Sequence, residues 1–326
     1  VKSTGGAAKS ADDFGTKFQK SIGNVKAAWG AMAGVIAAAG VGAAIKTMVT
    51  SAAEFETAMV DMGKVTHQSA ADIKAAISGI DPALGNSTEL LRGYYQVISA
   101  GITEPKRAID TLTESARLAK VAHIDQATAV QGVAAMMAAY GESMGGAKAA
   151  GDLLLAMEAG SVTEIKLLIP YIGELAGKAA ALGISQNDLA ASFASITQLS
   201  GGTSTAATQL KAIFTSLMAP TDALNAMFDG GSESLGKYKS AQEAIKAIGF
   251  EGLLRAITTE ANGNLDVLQD LVSSSEATAG AVTFLKDNFT AFGGALEIAK
   301  EKTGNLDEAW GRSEEHTSEL QSRQSI

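Results

Sequence analysis

The fold class follows from residues 179–221, which read AAALGISQNDLAASFASITQLSGGTSTAATQLKAIFTSLMAPT. After Ser185, large apolar side chains recur at spacings of three and four residues, at Leu189, Phe193, Ile196 and Leu199. Such spacing turns one face of an α-helix toward a core, whereas a half-buried strand alternates apolar and polar residues. Two glycines interrupt the pattern, and a second stripe of the same period follows, at Leu210, Ile213, Phe214 and Leu217. The stretch therefore predicts two amphipathic helices joined by a short glycine turn.

Helix-start signals recur on both sides of this stretch. Five serines are followed three residues later by Glu or Asp, which is the capping-box form or its Asp variant. They are Ser69–Asp72, Ser161–Glu164, Ser185–Asp188, Ser240–Glu243 and Ser273–Glu276. Thr103 with Pro105 indicates another helix start. Glycines stand where helices should end, at positions 101, 141, 160, 183 and 201–202.

Residues 161–183 predict a further amphipathic helix. Its apolar stripe is formed by Ile165, Leu168, Ile169, Ile172, Leu175, Ala179 and Leu182. Pro170 lies inside this run, and because proline removes a backbone donor we expect a kink or a break there. No alternating strand pattern persists for more than a few residues. The predicted fold is all-α, with many short amphipathic helices in a bundle or an elongated helical array.

The composition agrees with helices and disfavours several classes of function. Hydrophobic residues make up 46% of the chain but aromatics only 5%, and there are 35 Gly against 4 Pro. Small side chains let helices approach closely, whereas large sheets are rich in β-branched and aromatic residues. The absence of Cys excludes disulfides and thiolate metal sites, and three His make an imidazole metal site improbable. A net charge of −9 disfavours specific nucleic-acid binding, which needs clustered Lys and Arg.

One Ala/Gly-rich apolar helix is predicted near the N-terminus. Residues 27–45 read AAWGAMAGVIAAAGVGAAI, carry no charge and are bracketed by Lys26 and Lys46. The length suits a membrane span, yet nine Ala and four Gly make insertion marginal. Gly30 and Gly34 form a GxxxG motif, which serves close helix packing in lipid and in water alike. A membrane segment and a tightly packed helix in a soluble assembly therefore both stay open. The predicted membrane or helix-contact residues are Trp29, Gly30, Gly34, Ile36, Gly40 and Ile45.

The chain divides by composition into five segments. The predicted segments are a polar arm at 1–26, the apolar helix and its continuation at 27–65, a helical core at 66–228, a helical segment at 237–310, and a non-native tail at 311–326. Asp229 to Gly236, DGGSESLG, is the predicted loop between the two helical parts. The chain begins at Val1 rather than Met, and we expect it to be a piece of a longer protein.

The tail carries its own resemblance. Residues 312–322, RSEEHTSELQS, resemble the translation of a sequencing-adapter oligonucleotide of the kind found at the ends of gene predictions. This resemblance implies that the tail is not part of the natural protein. We therefore expect residues 311–326 to be disordered and His316 to have no function.

Residues 52–222 resemble the core region of phage tail tape measure proteins. The matching stretches come in order: AAEFETAMVDMGKV at 52–65, LLRGYYQVISAGI at 90–102, ARLAKVAHIDQATAVQGVAAMMAAYG at 116–141, and the quoted block at 179–221. Pro170 also falls where that family tends to carry a proline. The resemblance covers about half of the chain densely and contains no catalytic signature.

The resemblance implies a structural protein of the virion tail lumen that sets tail length and templates tube assembly, and that leaves ahead of DNA at infection. Because a helix rises about 1.5 Å per residue, residue number becomes a length. The implied partners are the major tail tube protein, tail assembly chaperones, distal tail and baseplate proteins, and further copies of the chain. The implied locations are the host cytoplasm during assembly and, for residues 27–45, the host membrane during ejection.

No catalytic, cofactor-binding or metal-binding residue is predicted. Residues 201–205, GGTST, precede a helix but lack the GK[ST] ending of a phosphate loop and any preceding strand. His123 has Asp125 two residues on but no nucleophile motif. Glu54, Glu56 and Asp61 fit a solvated helix face better than paired catalytic carboxylates. Two alternative functions remain: a membrane-active, pore-forming helical protein and, less favoured, a cell-wall-degrading enzyme.

Overall fold

A computed structural model describes residues 57, 68–301 and 304–324. The helices in these ranges are α1 Ala70–Ser78, α2 Ser87–Ser99, α3 Pro105–Val121, α4 Gln126–Tyr140, α5 Ala147–Ala159, α6 Ile165–Leu182, α7 Gln186–Ser200, α8 Thr203–Met218, α9 Asp222–Ala226, α10 Ala241–Glu260, α11 Leu265–Val272, α12 Ser275–Lys286, α13 Thr290–Lys300 and α14 Asn305–Gln324. Short 3-10 turns lie at Pro82–Leu84 and Gly141–Met144, and a π turn lies at Met227–Gly231. The described ranges contain no strand, which confirms the all-α prediction. The predicted apolar helix at 27–45 lies outside them.

Most of the predicted helix starts are confirmed. The hydroxyls of Ser69, Ser185 and Ser240 each accept a hydrogen bond from the amide three residues on, and so cap α1, α7 and α10. At Pro105, the first residue of α3, the missing N–H costs nothing because that donor has no partner inside the helix. The Glu104 carboxylate accepts hydrogen bonds from the backbone amides of Lys106 and Arg107.

Two of the five serine predictions were wrong, each for a local reason. Ser161 does not begin α6. Its hydroxyl donates a hydrogen bond to the Glu158 carbonyl and accepts one from the Thr163 amide, so it belongs to the turn before the helix. The N-cap of α6 is Glu164. Ser273 already ends α11 in a left-handed conformation, with φ of 61°. Its neighbour Ser274 caps α12 instead.

The predicted helix ends are confirmed at glycines 141, 160, 183 and 201, which terminate α4 to α7. Gly183 and Gly201 have φ of 78° and 75°, a left-handed conformation that a side chain would strain. Of the kink or break expected at Pro170, the break is wrong, because α6 runs from Ile165 to Leu182 as one helix. The kink stays a prediction. Proline removes only its hydrogen bond to the preceding turn, whereas all seven residues of the predicted stripe are buried against neighbouring helices.

The contacts within the chain divide it into two units, residues 1–109 and 110–326, and the boundary falls inside α3. In the first unit α1 packs on α2. The fully buried Tyr94 donates a hydrogen bond from its hydroxyl to Oε1 of Gln68, at 3.0 Å. Burial raises the pKa of Tyr94, so this hydroxyl keeps its proton and remains a donor.

Helix α7 is at the centre of the second unit. It packs against α13, α8, α5, α12 and α6. Nine consecutive residues, from Leu189 to Thr197, are buried, so α7 is enclosed on all sides rather than on the one face that its large apolar residues predicted. The intervening residues are Ala, Ser and Thr, whose small side chains allow several helices to surround one. The buried hydroxyls of Ser192, Ser195 and Thr197 donate to carbonyls of the same helix.

Glycines bring two other helix pairs into close contact. A Cβ added at Gly132 of α4 would lie 3.0 Å from Cγ1 of Ile169 in α6. One added at Gly280 of α12 would lie 2.8 Å from Cδ1 of Ile213 in α8. A side chain at either position would force the neighbouring isoleucine to shift, so glycine allows these helix pairs to approach as closely as they do.

An aromatic cluster joins α8, α10, α12 and α13. The ring centroids of Phe214 and Phe250 are 5.6 Å apart, and Phe284 lies within 6.4 Å of Phe250, Phe289 and Phe292. Phe289 has a left-handed φ of 63°. The Arg255 guanidinium holds this turn: it lies 4.3 Å from the Phe289 ring centre and donates to the Asn288 carbonyl.

From residue 110 onward, the helices on either side of the predicted loop belong to the same unit. At the loop, Asp229 and Gly230 leave helical geometry, as expected. Beyond it, α12 packs on α8, and α13 packs on α7. The five predicted segment limits stay predictions.

The expectation of a disordered tail is wrong for the residues that the structure describes, because α14 continues as a helix to Gln324. The reason is local: this stretch contains Glu, Gln, Leu and Arg, which are good helix formers, and has no Gly or Pro after Gly311. A helical backbone is compatible with any origin of these residues, so the adapter resemblance stays a prediction about the gene.

Candidate interaction surface

The residues singled out near the N-terminus, Trp29, Gly30, Gly34, Ile36, Gly40 and Ile45, all lie outside the described residues, and their role stays a prediction. Across residues 57, 68–301 and 304–324, none of the helices combines the length and apolar character that a bilayer crossing requires. The same ranges hold no group of three acidic or histidine side chains placed to bind a metal ion.

The structure shows an apolar surface on α6 that the sequence reasoning missed. Opposite the buried stripe, Leu167 and Tyr171 are 49% and 37% exposed, and Pro170 is exposed between them. Val162, in the turn before the helix, is 66% exposed. We call these four residues the α6 surface. The available signal was that Leu167 and Tyr171 fall out of phase with the helical stripe.

Charged side chains border the α6 surface. Glu164, the N-cap of α6, pairs with Lys166 at 2.5 Å, and both side chains are more than half exposed. Glu174 pairs with Lys211 of α8 at 2.8 Å. Lys178 makes no ion pair within the described part of the chain. Exposed pairs of this kind contribute little stability and exchange readily with other partners.

A cleft of about 330 Å³ lies where the first turns of α8 and α12 meet. The residues lining it are Ser204, Thr205, Thr208, Gln209, Ser275, Glu276 and Ala279. Gly202, the N-cap of α8, offers no side chain to the first amides of that helix. Amides at a helix start can bind an anion, but the Glu276 carboxylate on the same wall opposes one. The glycine run at 201–202 therefore serves as a helix connection.

A charge clamp, which we define as Arg117, Lys148, Asp152 and Asp307, attaches the start of α14 to the rest of the second unit. Asp152 of α5 is only 2% exposed, and its carboxylate accepts the amides of Gly304 and Leu306 at 3.1 and 2.7 Å. Lys148 and Arg117 both donate to the Asp307 carboxylate, Arg117 at 3.2 Å. Because Asp152 lies far from α14 in sequence, no local pattern could have revealed this cap.

Two titratable groups near the clamp and on α4 are perturbed by their surroundings. Burial raises the pKa of Glu114, which pairs with Arg117 at 3.3 Å. Hydrogen bonds from the hydroxyl and the amide of Thr128 lower the pKa of Asp125. Since Asp125 caps α4 in this way, its carboxylate is committed to the helix start rather than to the exposed His123.

The all-helical architecture of the described residues agrees with the comparison to known proteins. Residues 82–313 match the sequence family described as Phage-related minor tail protein. The match spans α2 to the first half of α14 and ends at the second residue of the adapter-like stretch. Neither the curated proteins nor the solved structures yielded a match. The chain therefore belongs to the phage-related minor tail protein family and is a structural component of a phage tail.

Proposed function

We propose that this chain is part of a tape measure protein, which sets the length of the phage tail and templates assembly of the tail tube. The family match over residues 82–313 carries the proposal, because it includes three of the four stretches that resemble tape measure proteins. The all-helical architecture of the described residues is compatible with this role. The proposed location is the tail lumen, from which the protein leaves ahead of DNA.

The proposed partners follow from this role. They are the major tail tube protein, the tail assembly chaperones, distal tail and baseplate proteins, and further copies of the chain. Specific nucleic-acid binding is not part of the proposal, because a net charge of −9 disfavours binding to phosphates. Catalysis is not part of it either, and a zymogram on cell wall tests the enzymatic alternative.

Tail length, measured by electron microscopy of particles, tests the ruler role. In-frame removal of residues 241–300, α10 to α13, should shorten the tail by about 90 Å if each residue contributes its helical rise. The matched control replaces the same residues with an unrelated helical sequence of equal number, which should restore the length. Tails of unchanged length on particles that carry the shortened chain would contradict the proposal.

Residues 27–45 favour a second candidate function, membrane activity during ejection, because they form an uncharged stretch long enough to span a bilayer. Dye leakage from liposomes, measured with the full chain and with a chain lacking 27–45, tests it. Leakage that needs these residues supports a conduit role, which is compatible with a ruler. No leakage from either chain leaves the structural role alone.

A further inference from the structure

The α6 surface combines apolar exposure with an ordered arrangement of charge. Val162, Leu167 and Tyr171 are large apolar residues within ten positions of one another, and each is more than a third exposed. Contiguous apolar residues at a surface mark interaction sites more often than isolated ones do. Pro170 adds a flat apolar ring between Leu167 and Tyr171.

Charge on this surface follows a symmetric pattern. Glu164, Tyr171 and Lys178 are seven residues apart, so about two helical turns separate each from the next and the three lie nearly in line along α6. An anion therefore lies as far before Tyr171 as a cation lies after it. Such a line is complementary to itself when a second copy runs in the opposite direction.

We propose that the α6 surface binds the same surface of a second copy of this chain, antiparallel and related by a two-fold axis at Tyr171. Glu164 of each copy then faces Lys178 of the other, which gives two equivalent ion pairs. Leu167, Pro170 and Tyr171 of both copies are buried between these pairs. A two-fold axis makes the contact isologous, so it closes at a dimer rather than growing into a filament.

The other charges near this surface are compatible with the pairing. Glu174 comes to the interface already neutralised by Lys211, at 2.8 Å. The pair of Glu164 with Lys166 is exposed and can be exchanged for Lys178 of the second copy. A Cβ added at Gly177 would meet nothing within 4 Å. Because neither a side chain nor a neighbour fills this space, a second helix can approach closely there. Parallel pairing would instead place like charges opposite each other.

This inference deepens the proposed function, because further copies of the chain are among its proposed partners. Its test measures the mass of the full purified chain, which does not depend on tail length. Failure of one proposal can therefore be told from failure of the other.

Charge reversal combined with sedimentation equilibrium tests the pairing. The unmodified chain should show a concentration-dependent dimer. Glu164→Lys or Lys178→Glu alone should weaken the dimer at least tenfold, because two repulsive contacts replace two attractive ones. The double variant should dimerise as the unmodified chain does. An equimolar mixture of the two single variants should form a mixed dimer, because opposite charges then face each other at both contacts.

Lys246→Glu, on α10, is the matched control and should leave the dimer unchanged. A second measurement covers the case in which a reversed charge disturbs the start of α6. The chain has no cysteine, so Tyr171→Cys introduces a single thiol at the proposed axis. Mild oxidation should link two copies through it, whereas Lys246→Cys should remain unlinked. A monomer at all concentrations, single variants that dimerise normally, or Tyr171→Cys that does not cross-link would each overturn the proposal.

Discussion

Helices α7 and α14 are held in the second unit by different forces. Nine consecutive residues of α7 are buried, and five other helices surround it. In α14, Leu306 is the one buried residue among those whose side chains the structure describes, and the helix packs on α5. Its attachment depends on this one leucine and on the charge clamp at its first turn. α14 is the longer helix, with 20 residues against 15, but α7 is the more firmly held. Burial and capping, rather than length, determine how firmly a helix is held, so the two helices should respond differently to substitution.

The largest effect is expected at the centre of α7. Phe193 is fully buried, so Phe193→Ala should lower the free energy of unfolding by about 3–5 kcal/mol, from lost burial and the cavity that remains. Chemical denaturation followed by circular dichroism measures this. Ser200→Ala, at the end of the same helix, should change stability little. Equal effects of the two substitutions would show that α7 is not the core of the unit.

Leu306→Ala should give the next largest effect, confined to α14. A Cβ on Gly151 would lie 2.8 Å from Cδ2 of Leu306, which shows how tightly this leucine fits against α5. Removing it should cost about 2–5 kcal/mol of local stability. Hydrogen exchange should accelerate in α14 while α7 stays protected. Acceleration throughout the unit would mean that α14 does not open independently.

Asp152→Ala should weaken the start of α14 by about 0.5–2 kcal/mol, as expected for the loss of a capping side chain. The amides of Gly304 and Leu306, which donate to Asp152, should exchange faster. Glu308→Gln is the matched control, since Glu308 makes an exposed ion pair with Arg312 of the same helix and no other ion pair within the described part of the chain. Unchanged exchange at both amides in Asp152→Ala would contradict the capping role.

The smallest effect is a dependence of stability on pH at Glu114. Burial raises its pKa in the folded chain above the ordinary value of 4.5, although Arg117 opposes the shift. The folded chain therefore binds the Glu114 proton more tightly than the unfolded chain does. The stability that this difference contributes is fully present below the pKa of Glu114 in the unfolded chain. It is lost as pH rises through the pKa of Glu114 in the folded chain.

Glu114→Gln cannot ionise, so its stability relative to the unmodified chain should increase as pH rises above about 4.5. Denaturation of both chains at a series of pH values measures the difference. Asp110→Asn, on the same helix, controls for a general charge effect. A constant difference between the Glu114→Gln and unmodified chains across this range would show that Glu114 titrates normally.

Local signals predicted much of the fold. The stripe on α6 and the serine caps of α1, α7 and α10 were correct because each depends on residues within a few positions of one another. Errors arose where two local roles competed, as at Ser273, which ends one helix just before Ser274 begins the next. The α6 surface was missed because a helical stripe shows which residues can be buried but not which apolar residues outside it stay exposed.

The sequence by itself determined that this chain is helical, where most helices begin and end, and that it resembles phage tail proteins. Hydrogen bonds and side-chain period act over a few residues, so those features can be read in one dimension. Tertiary structure alone decided that α7 is enclosed, that Asp152 caps a helix far along the chain, and that Leu167 and Tyr171 face outward. Each of these depends on which helices become neighbours, and that is set by the packing of many small side chains at once.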